Sequence, residues 1–212
     1  IRTEALPRLL DKSKKPVAMG IVAGQPRGGM RMTLWGNRYL GWNTQWVTGY
    51  PGSSDLLLAI ERGEIDMTSF AREYIADKLT DPRQYKVLYG DGLSKNARPS
   101  GRADFDNAPK FVDAMEGKIE DPKMQAAFDY WRAGILFKWA TLPPDTPQPV
   151  VDVYRDAFRK VAADAEFAKA ADQVMQGYTV IPPEEMVKDI NDLAATPDDA
   201  LKTTDELVRN LK

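Results

Sequence analysis

The sequence predicts an α/β fold in which a parallel-rich sheet is connected by helical crossovers. Two patterns carry this prediction. Short apolar runs alternate with segments of helical periodicity in the first half of the chain, and Gly, Pro and helix-capping residues mark the junctions between them. A hydrophobic fraction of 43% over 212 residues is ordinary for a chain that buries a core. We therefore expect one large domain or two small lobes.

The predicted strands are short apolar runs, and they comprise residues 17–22, 45–48, 65–68 and 85–89. Helices are predicted between them at residues 30–40 and 55–62. Ser53 is the expected N-cap of the second helix, because a serine hydroxyl readily accepts from the first amides of a helix. A strand followed by a helix and another strand is typical of parallel pairing.

The rest of the chain is predicted to be mainly helical. A polar loop covers residues 90–107, and two helices follow, the second capped by Asp121 with Pro122 at its first position. Apolar strand-like runs are predicted at residues 135–141 and 178–181. Further helices are predicted after a Thr146 cap and at residues 166–176, 183–193 and 197–211. The helix after Thr146 has one apolar face, so we expect it to pack on a sheet.

Composition excludes several classes of function. The chain has 0 Cys and 0 His, which removes cysteine nucleophiles, histidine acid–base catalysis and the usual zinc sites. A net charge of −2 gives no reason to expect a nucleic-acid partner. No apolar run approaches the ~20 residues that span a bilayer, so no direct membrane insertion is expected. We expect no enzyme activity and no cofactor.

The loop after the first strand, residues 23–29, is the strongest candidate site. It contains Ala23, Gly24, Gln25, Pro26, Arg27, Gly28 and Gly29 and lies where an open α/β sheet binds ligands. Glycines let a ligand approach the backbone, and the first amides of the next helix favour an anion. Arg27 could bind a carboxylate with two hydrogen bonds. The alternative is an ordinary strand-to-helix turn with a solvated arginine.

Two further junctions are weaker candidates. Tyr50, Gly52 and Ser53 lie between the second strand and its helix, and Ser69 and Phe70 end the third strand. The carboxyl ends of parallel strands meet at one edge of a sheet, so these residues would face the same ligand. On local grounds, an ordinary capped turn is at least as good an interpretation of the first junction, and core packing is the better interpretation of Phe70 taken alone.

Two residue clusters outside this edge are interpreted as structural. Glu61, Glu64 and Asp66 could form an acid–base pair or a metal site, but they follow a helix end away from the expected ligand edge. We interpret them as a solvated surface. The aromatic-rich stretch at residues 128–139 is interpreted as packing in the core or between lobes.

The order of these segments resembles the solute-binding receptors of tripartite tricarboxylate transporters, the Bug-type proteins. The resemblance covers nearly the whole chain and depends on the order and spacing of several weak motifs. Those motifs are Val22-Ala23-Gly24-Gln25-Pro26-Arg27-Gly28, Val47-Thr48-Gly49-Tyr50-Pro51-Gly52, Leu58-Ala59-Ile60-Glu61-Arg62-Gly63-Glu64-Ile65-Asp66, Leu142-Pro143-Pro144-Asp145-Thr146-Pro147 and Ala163-Asp164-Ala165-Glu166-Phe167.

The resemblance implies a periplasmic two-lobed receptor of the type II binding-protein fold. Such a receptor closes on a small organic acid and delivers it to the membrane subunits of a tripartite transporter. Residues 1–134 would form the second, ligand-binding lobe. Residues 135–212 would be the returning strand and helices of the first lobe, whose N-terminal part has no counterpart here. Ligand contacts would come from residues 23–29, with residues 50–53 and 69–70 as further candidates.

Two departures from the family pattern alter the expected ligand. Gln25, Pro26 and Arg27 replace serines that the family often has in the first loop, and Ser69 corresponds to a family aspartate. These changes indicate a ligand that is held by other groups and that lacks an amine. Two alternatives remain: an α/β enzyme acting on a small carboxylate without His or Cys chemistry, and a non-binding remnant or interaction module.

Overall fold

The computed structural model describes residues 1–26, 28–71, 75, 78–92, 102–134, 140–174 and 180–209. Arg27, residues 135–139 of the predicted 135–141 run and residues 178–179 of the predicted 178–181 strand lie outside these residues. The described elements are strands β1 (Val17–Val22) and β2 (Thr44–Tyr50), 3-10 turns Thr3–Ala5 and Gly28–Arg31, and helices α1 (Leu6–Leu9), α2 (Met32–Tyr39), α3 (Ser53–Glu61), α4 (Ala103–Asp106), α5 (Phe111–Ala114), α6 (Pro122–Ala133), α7 (Gln148–Ala163), α8 (Ala165–Val174), α9 (Pro183–Ala194) and α10 (Asp198–Arg209).

The described sheet has two parallel strands, and residues 65–68 lie along the other side of β1. β2 pairs with β1 in register from Val17 opposite Thr44 to Gly20 opposite Val47, and the register shifts before Val22. On the other side of β1, the Gly20 N–H donates to the Met67 carbonyl at 2.9 Å. Helices α2 and α3 connect these three segments, as expected for βαβ crossovers. The predicted mixed α/β class with parallel pairing is confirmed.

Two predicted strands differ from the structure. Residues 65–68 run parallel to β1 but form only one bridge, between Met19 and Met67. The prediction of a strand at residues 85–89 is wrong, because this stretch makes only an antiparallel bridge from Tyr85 to Arg2. The Tyr89 ring instead packs against Trp42, with centroids 5.9 Å apart. This short apolar run therefore covers the core without extending the sheet.

The core is built on β1 and on a group of aromatic rings. Val17, Met19 and Ile21 are almost fully buried, and Gly20 between them is also buried, so both faces of β1 are covered. This pattern is typical of a central strand in an α/β sheet. A network of edge-to-face and stacked rings continues the core toward α6 and includes Trp35, Trp42, Phe111, Phe128 and Trp131. The prediction that the aromatic stretch forms core is confirmed for Phe128 and Trp131.

Helix α6 joins the sheet region to the C-terminal helices. Its predicted cap is confirmed, because the Asp121 carboxylate accepts from the Lys123 N–H at 2.9 Å and Pro122 follows. Helix α10 packs along α6 and buries Ala200, Thr204 and Val208, which lie one turn apart on one face. Helix α10 is therefore held close to the sheet-containing region.

Helix α7 is confirmed, but its expected packing on a sheet is not found among the described residues. Its apolar side chains are exposed, and they include Val150, Val153, Tyr154, Phe158 and Val161. The predicted Thr146 cap is wrong: its hydroxyl donates to the Pro143 carbonyl at 2.7 Å, and Pro147 occupies the cap position. Within the described part of the chain, no helix is long and apolar enough to cross a membrane.

Candidate functional site at the carboxyl edge of the sheet

The loop after β1 is fixed to the end of β2 by backbone hydrogen bonds. The Ala23 N–H donates to the Tyr50 carbonyl at 2.9 Å, and the Gly49 N–H donates to the Ala23 carbonyl at 2.8 Å. Ala23 has φ 56°, a left-handed conformation uncommon for a residue with a side chain. The structure therefore brings Ala23 and Tyr50 together, as the sequence predicts for two strand ends at one edge.

The second half of the loop lies against Ser69, which directly follows residues 65–68 on the other side of β1. A Cβ built on Gly29 would lie 2.5 Å from the Ser69 Oγ, so only a residue without a side chain allows this approach. Gly28 has φ 48°, which glycine adopts without strain. Gly29 and Ser69, predicted from separate junctions, are thus neighbours at the same edge.

A tryptophan far along the chain also fixes this loop. The Trp131 indole N–H donates to the Gly28 carbonyl at 3.1 Å, and its ring is 2% exposed. The Arg31 Nε donates to the Pro26 carbonyl at 3.3 Å, and Pro26 is fully buried. The loop is therefore anchored from α6 and from the turn before α2. The aromatic composition of residues 128–139 predicts burial of Trp131 but not this partner.

The two helix N-termini at this edge differ in their suitability for an anion. Asp55 in the first turn of α3 places a carboxylate where the helix dipole favours negative charge. The first turn of α2 contains no acidic residue, and a glycine-rich 3-10 turn precedes it. The loop before α2 is consequently the better place for an external carboxylate.

The remaining predicted site residues have mixed outcomes. The prediction that Ser53 caps α3 is wrong, because Gly52 occupies the cap position in extended conformation and no side chain bonds the helix end. Phe70 is half-buried and packs against the core, which favours its structural interpretation. Gly24 and Gln25 are exposed on the loop. Arg27 lies outside the described residues, so its predicted carboxylate contact stays a prediction.

Tyr50, whose backbone carbonyl bonds the loop, has a partly buried phenol side chain. Partial burial, and to a lesser extent the negative charge of Glu64, raise the pKa of the Tyr50 phenol above its usual value of 10.0. A phenol is protonated at neutral pH even without this shift, so the hydroxyl can act as a hydrogen-bond donor. Tyr50 thus adds no negative charge that would repel an anionic ligand.

A cleft lies beside the loop and was not predicted from the sequence. Its volume is about 500 Å³, and its lining residues are Gly24, Gln25, Gln45, Trp46, Thr48, Val208 and Arg209. The loop, β2 and the last turn of α10 all contribute. No local signal links α10 to the loop, because the two are far apart in sequence and meet only through the packing of α10 on α6.

The acidic cluster is not a metal site. Among the described residues, no group of three or more His, Cys, Asp or Glu side chains could hold a metal ion. The interpretation of Asp66 as solvated is wrong. Its Oδ2 accepts from the Ala18 N–H at 2.8 Å and its Oδ1 accepts from Arg8 Nη2 at 2.7 Å. Asp66 instead fixes residues 65–68 beside β1.

The contact between Gly29 and Ser69 gives a testable coupling. We expect Gly29→Ala to lower the free energy of unfolding by about 1 kcal/mol, since the new methyl group displaces the Ser69 hydroxyl. Ser69→Ala removes that hydroxyl, and Gly29→Ala should cost less in the Ser69→Ala background. Urea unfolding of the two single variants and the double variant measures this coupling. Strictly additive effects would show that the two residues do not touch.

Comparisons of this chain with protein-family models, with curated proteins and with solved structures give no match.

Proposed function

We propose that this protein binds a small organic carboxylate at the carboxyl edge of its sheet and performs no chemistry on it. The observation that carries the proposal is the convergence of three predicted junctions: Ala23 bonds with Tyr50, and Gly29 lies against Ser69. The exposed glycines of the loop supply backbone hydrogen-bond donors there, at the start of the 3-10 turn that runs into α2. This donor set suits an oxyanion.

On this proposal, the protein is an extracytoplasmic receptor of the tripartite tricarboxylate type with a type II binding-protein fold. The order of the sequence motifs, together with the parallel β1–β2 pair and its helical crossovers, supports this assignment. Its partners would be the ligand and the membrane subunits of the transporter, and its location would be the periplasm. The C-terminal helices would then belong to the opposing lobe of a clamp.

Calorimetric titration of the purified protein with acetate, succinate, citrate, glutamate and benzoate tests the proposal. We expect saturable 1:1 binding of at least one acid, with no change in the acid after incubation. Gly24→Val should weaken that binding, because its side chain would cover the exposed loop backbone. A Cβ atom at position 24 would have no other atom within 4 Å, so the fold should tolerate the change. Absence of binding across the panel by a folded protein would contradict the proposal.

A second candidate is an interaction module without a ligand. The exposed apolar side chains of α7 favour it, since contiguous apolar surface on a soluble protein often marks an interface. Light scattering after size-exclusion chromatography distinguishes the two candidates when combined with the titration. Self-association without any carboxylate binding would support the module, and carboxylate binding would support the receptor.

A further inference from the structure

The cleft beside the loop combines three kinds of lining group. Trp46 provides apolar ring surface, with the nearly buried Val208 beside it, whereas Gln25, Gln45 and Thr48 provide amides and a hydroxyl. Arg209 provides the cation. A concave site of about 500 Å³ falls in the range of small-molecule sites, which combine apolar walls with a few polar groups. The cleft is therefore suited to a ligand that has an apolar body and one anionic end.

Arg209 is held at the cleft by the packing of its helix. Its neighbour Val208 is 5% exposed and lies on the same buried face of α10 as Ala200 and Thr204. The Thr204 hydroxyl donates to the Ala200 carbonyl at 2.8 Å. Arg209 itself is exposed, and it has no ion-pair or hydrogen-bond partner within the described ranges. Its guanidinium is therefore available to an external anion.

The opposite wall comes from β2. Three residues of β2, Gln45, Trp46 and Thr48, line the cleft, and among the described residues β2 pairs only with β1. Trp46 is half-buried and packs partly against the core, which fixes its indole while leaving some ring surface open. A flat apolar group can stack on such a surface. Thr48 lies two residues further along the strand, toward the loop that carries Gly24 and Gln25.

We propose that the ligand is a monocarboxylate with a flat apolar body, bound in this cleft. Its carboxylate lies between Arg209 and the backbone at residues 24–25, and its body lies on the open part of the Trp46 ring. This inference rests on the proposed carboxylate-binding function and names its ligand class. A second carboxylate would be desolvated against Trp46 without a cation among the lining residues to pair with, which is costly.

Calorimetric titration with benzoate, acetate and succinate tests the ligand class. Benzoate carries the flat body, acetate lacks it, and succinate carries a second charge. We expect the dissociation constant for benzoate to be at least about tenfold lower than for the other two. Arg209→Gln should raise the benzoate constant about tenfold or more, because it removes a charge-assisted pair.

Arg62→Gln is the matched control, since Arg62 is exposed in the turn after α3 and its only described ion pair, with Glu64, is 3.9 Å long. It should leave binding unchanged. Trp46→Leu should weaken the binding of benzoate more than the binding of acetate. If a carboxylate binds and neither Arg209→Gln nor Trp46→Leu alters its affinity, this inference is overturned while the proposed function stands. If no carboxylate binds, the proposed function fails and the inference fails with it.

Discussion

Replacement of Asp66 by alanine is expected to lower the free energy of unfolding by about 2–4 kcal/mol. The Asp66 carboxylate is 14% exposed and accepts hydrogen bonds from the Ala18 amide and from Arg8. Alanine would leave the Ala18 N–H without its acceptor at the point where residues 65–68 join β1. Arg8 would lose its carboxylate partner but would keep its bond to the Pro16 carbonyl. The loss is therefore smaller than for a fully buried ion pair.

Glu64→Ala is the control for Asp66→Ala, because both residues belong to the acidic cluster and differ in burial. The Glu64 side chain is 51% exposed, and its pair with Arg62 is 3.9 Å long. We expect its replacement to change stability by less than about 0.5 kcal/mol. The loss of stability for Asp66→Asn should fall between those of the two alanine variants, since asparagine keeps an acceptor for the Ala18 amide. Urea unfolding measures all three, and equal losses for Asp66→Ala and Glu64→Ala would refute the structural role of Asp66.

Gly36→Val is expected to lower the free energy of unfolding by about 3 kcal/mol. Glycine inside a helix normally costs about 1 kcal/mol relative to alanine, so a substitution that only improved helix propensity would stabilise the protein. Here the Trp42 ring lies directly against Gly36 and occupies the space that a Cβ would need. Tyr89 and Phe111 pack on Trp42 with centroids 5.9 Å away, so the ring cannot move freely. The steric conflict therefore exceeds the gain in propensity.

Gly90→Ala is the control for an added side chain, since a Cβ there would have no neighbour within 4 Å. We expect a change of less than about 0.5 kcal/mol for this variant. Gly36→Ala should lower the free energy of unfolding by an intermediate amount. If Gly36→Ala instead made the protein more stable, Trp42 would not lie against α2. Near-ultraviolet circular dichroism, recorded with the urea unfolding, reports whether the Trp42 environment changes.

The elements that can be predicted from the sequence are those marked by local features, such as an apolar run or a capping residue. β1 is bounded as predicted at Val17–Val22, and α6 begins after Asp121 and at Pro122 as predicted. Residues 85–89 were wrongly predicted as a strand because a short apolar run does not reveal whether it pairs in a sheet or covers a core. The prediction of Ser53 as the cap is wrong because Gly52 and Ser53 are both acceptable at a helix start, and local propensity does not distinguish them.

The candidate site could be predicted only in part, because some of its contacts join residues that are far apart in the sequence. Parallel strands end at one edge, so the meeting of the loop with Tyr50 and Ser69 follows from strand order. The Trp131 bond to the Gly28 carbonyl joins residues separated by 103 positions. Arg209 reaches the cleft only because α10 packs on α6. Such contacts depend on tertiary packing, for which a single sequence contains no local signal.

A backbone amide titration by nuclear magnetic resonance tests the central claim most directly. On addition of benzoate to the isotopically labelled protein, we predict saturable shifts for Gly24, Gln25, Gly28 and Gly29 with one common dissociation constant. The amides of Gly90 and Gly117, which lie outside the site, should not move. Unchanged loop amides during carboxylate binding, or an absence of saturable shifts with every acid of the panel, would contradict carboxylate binding at this edge.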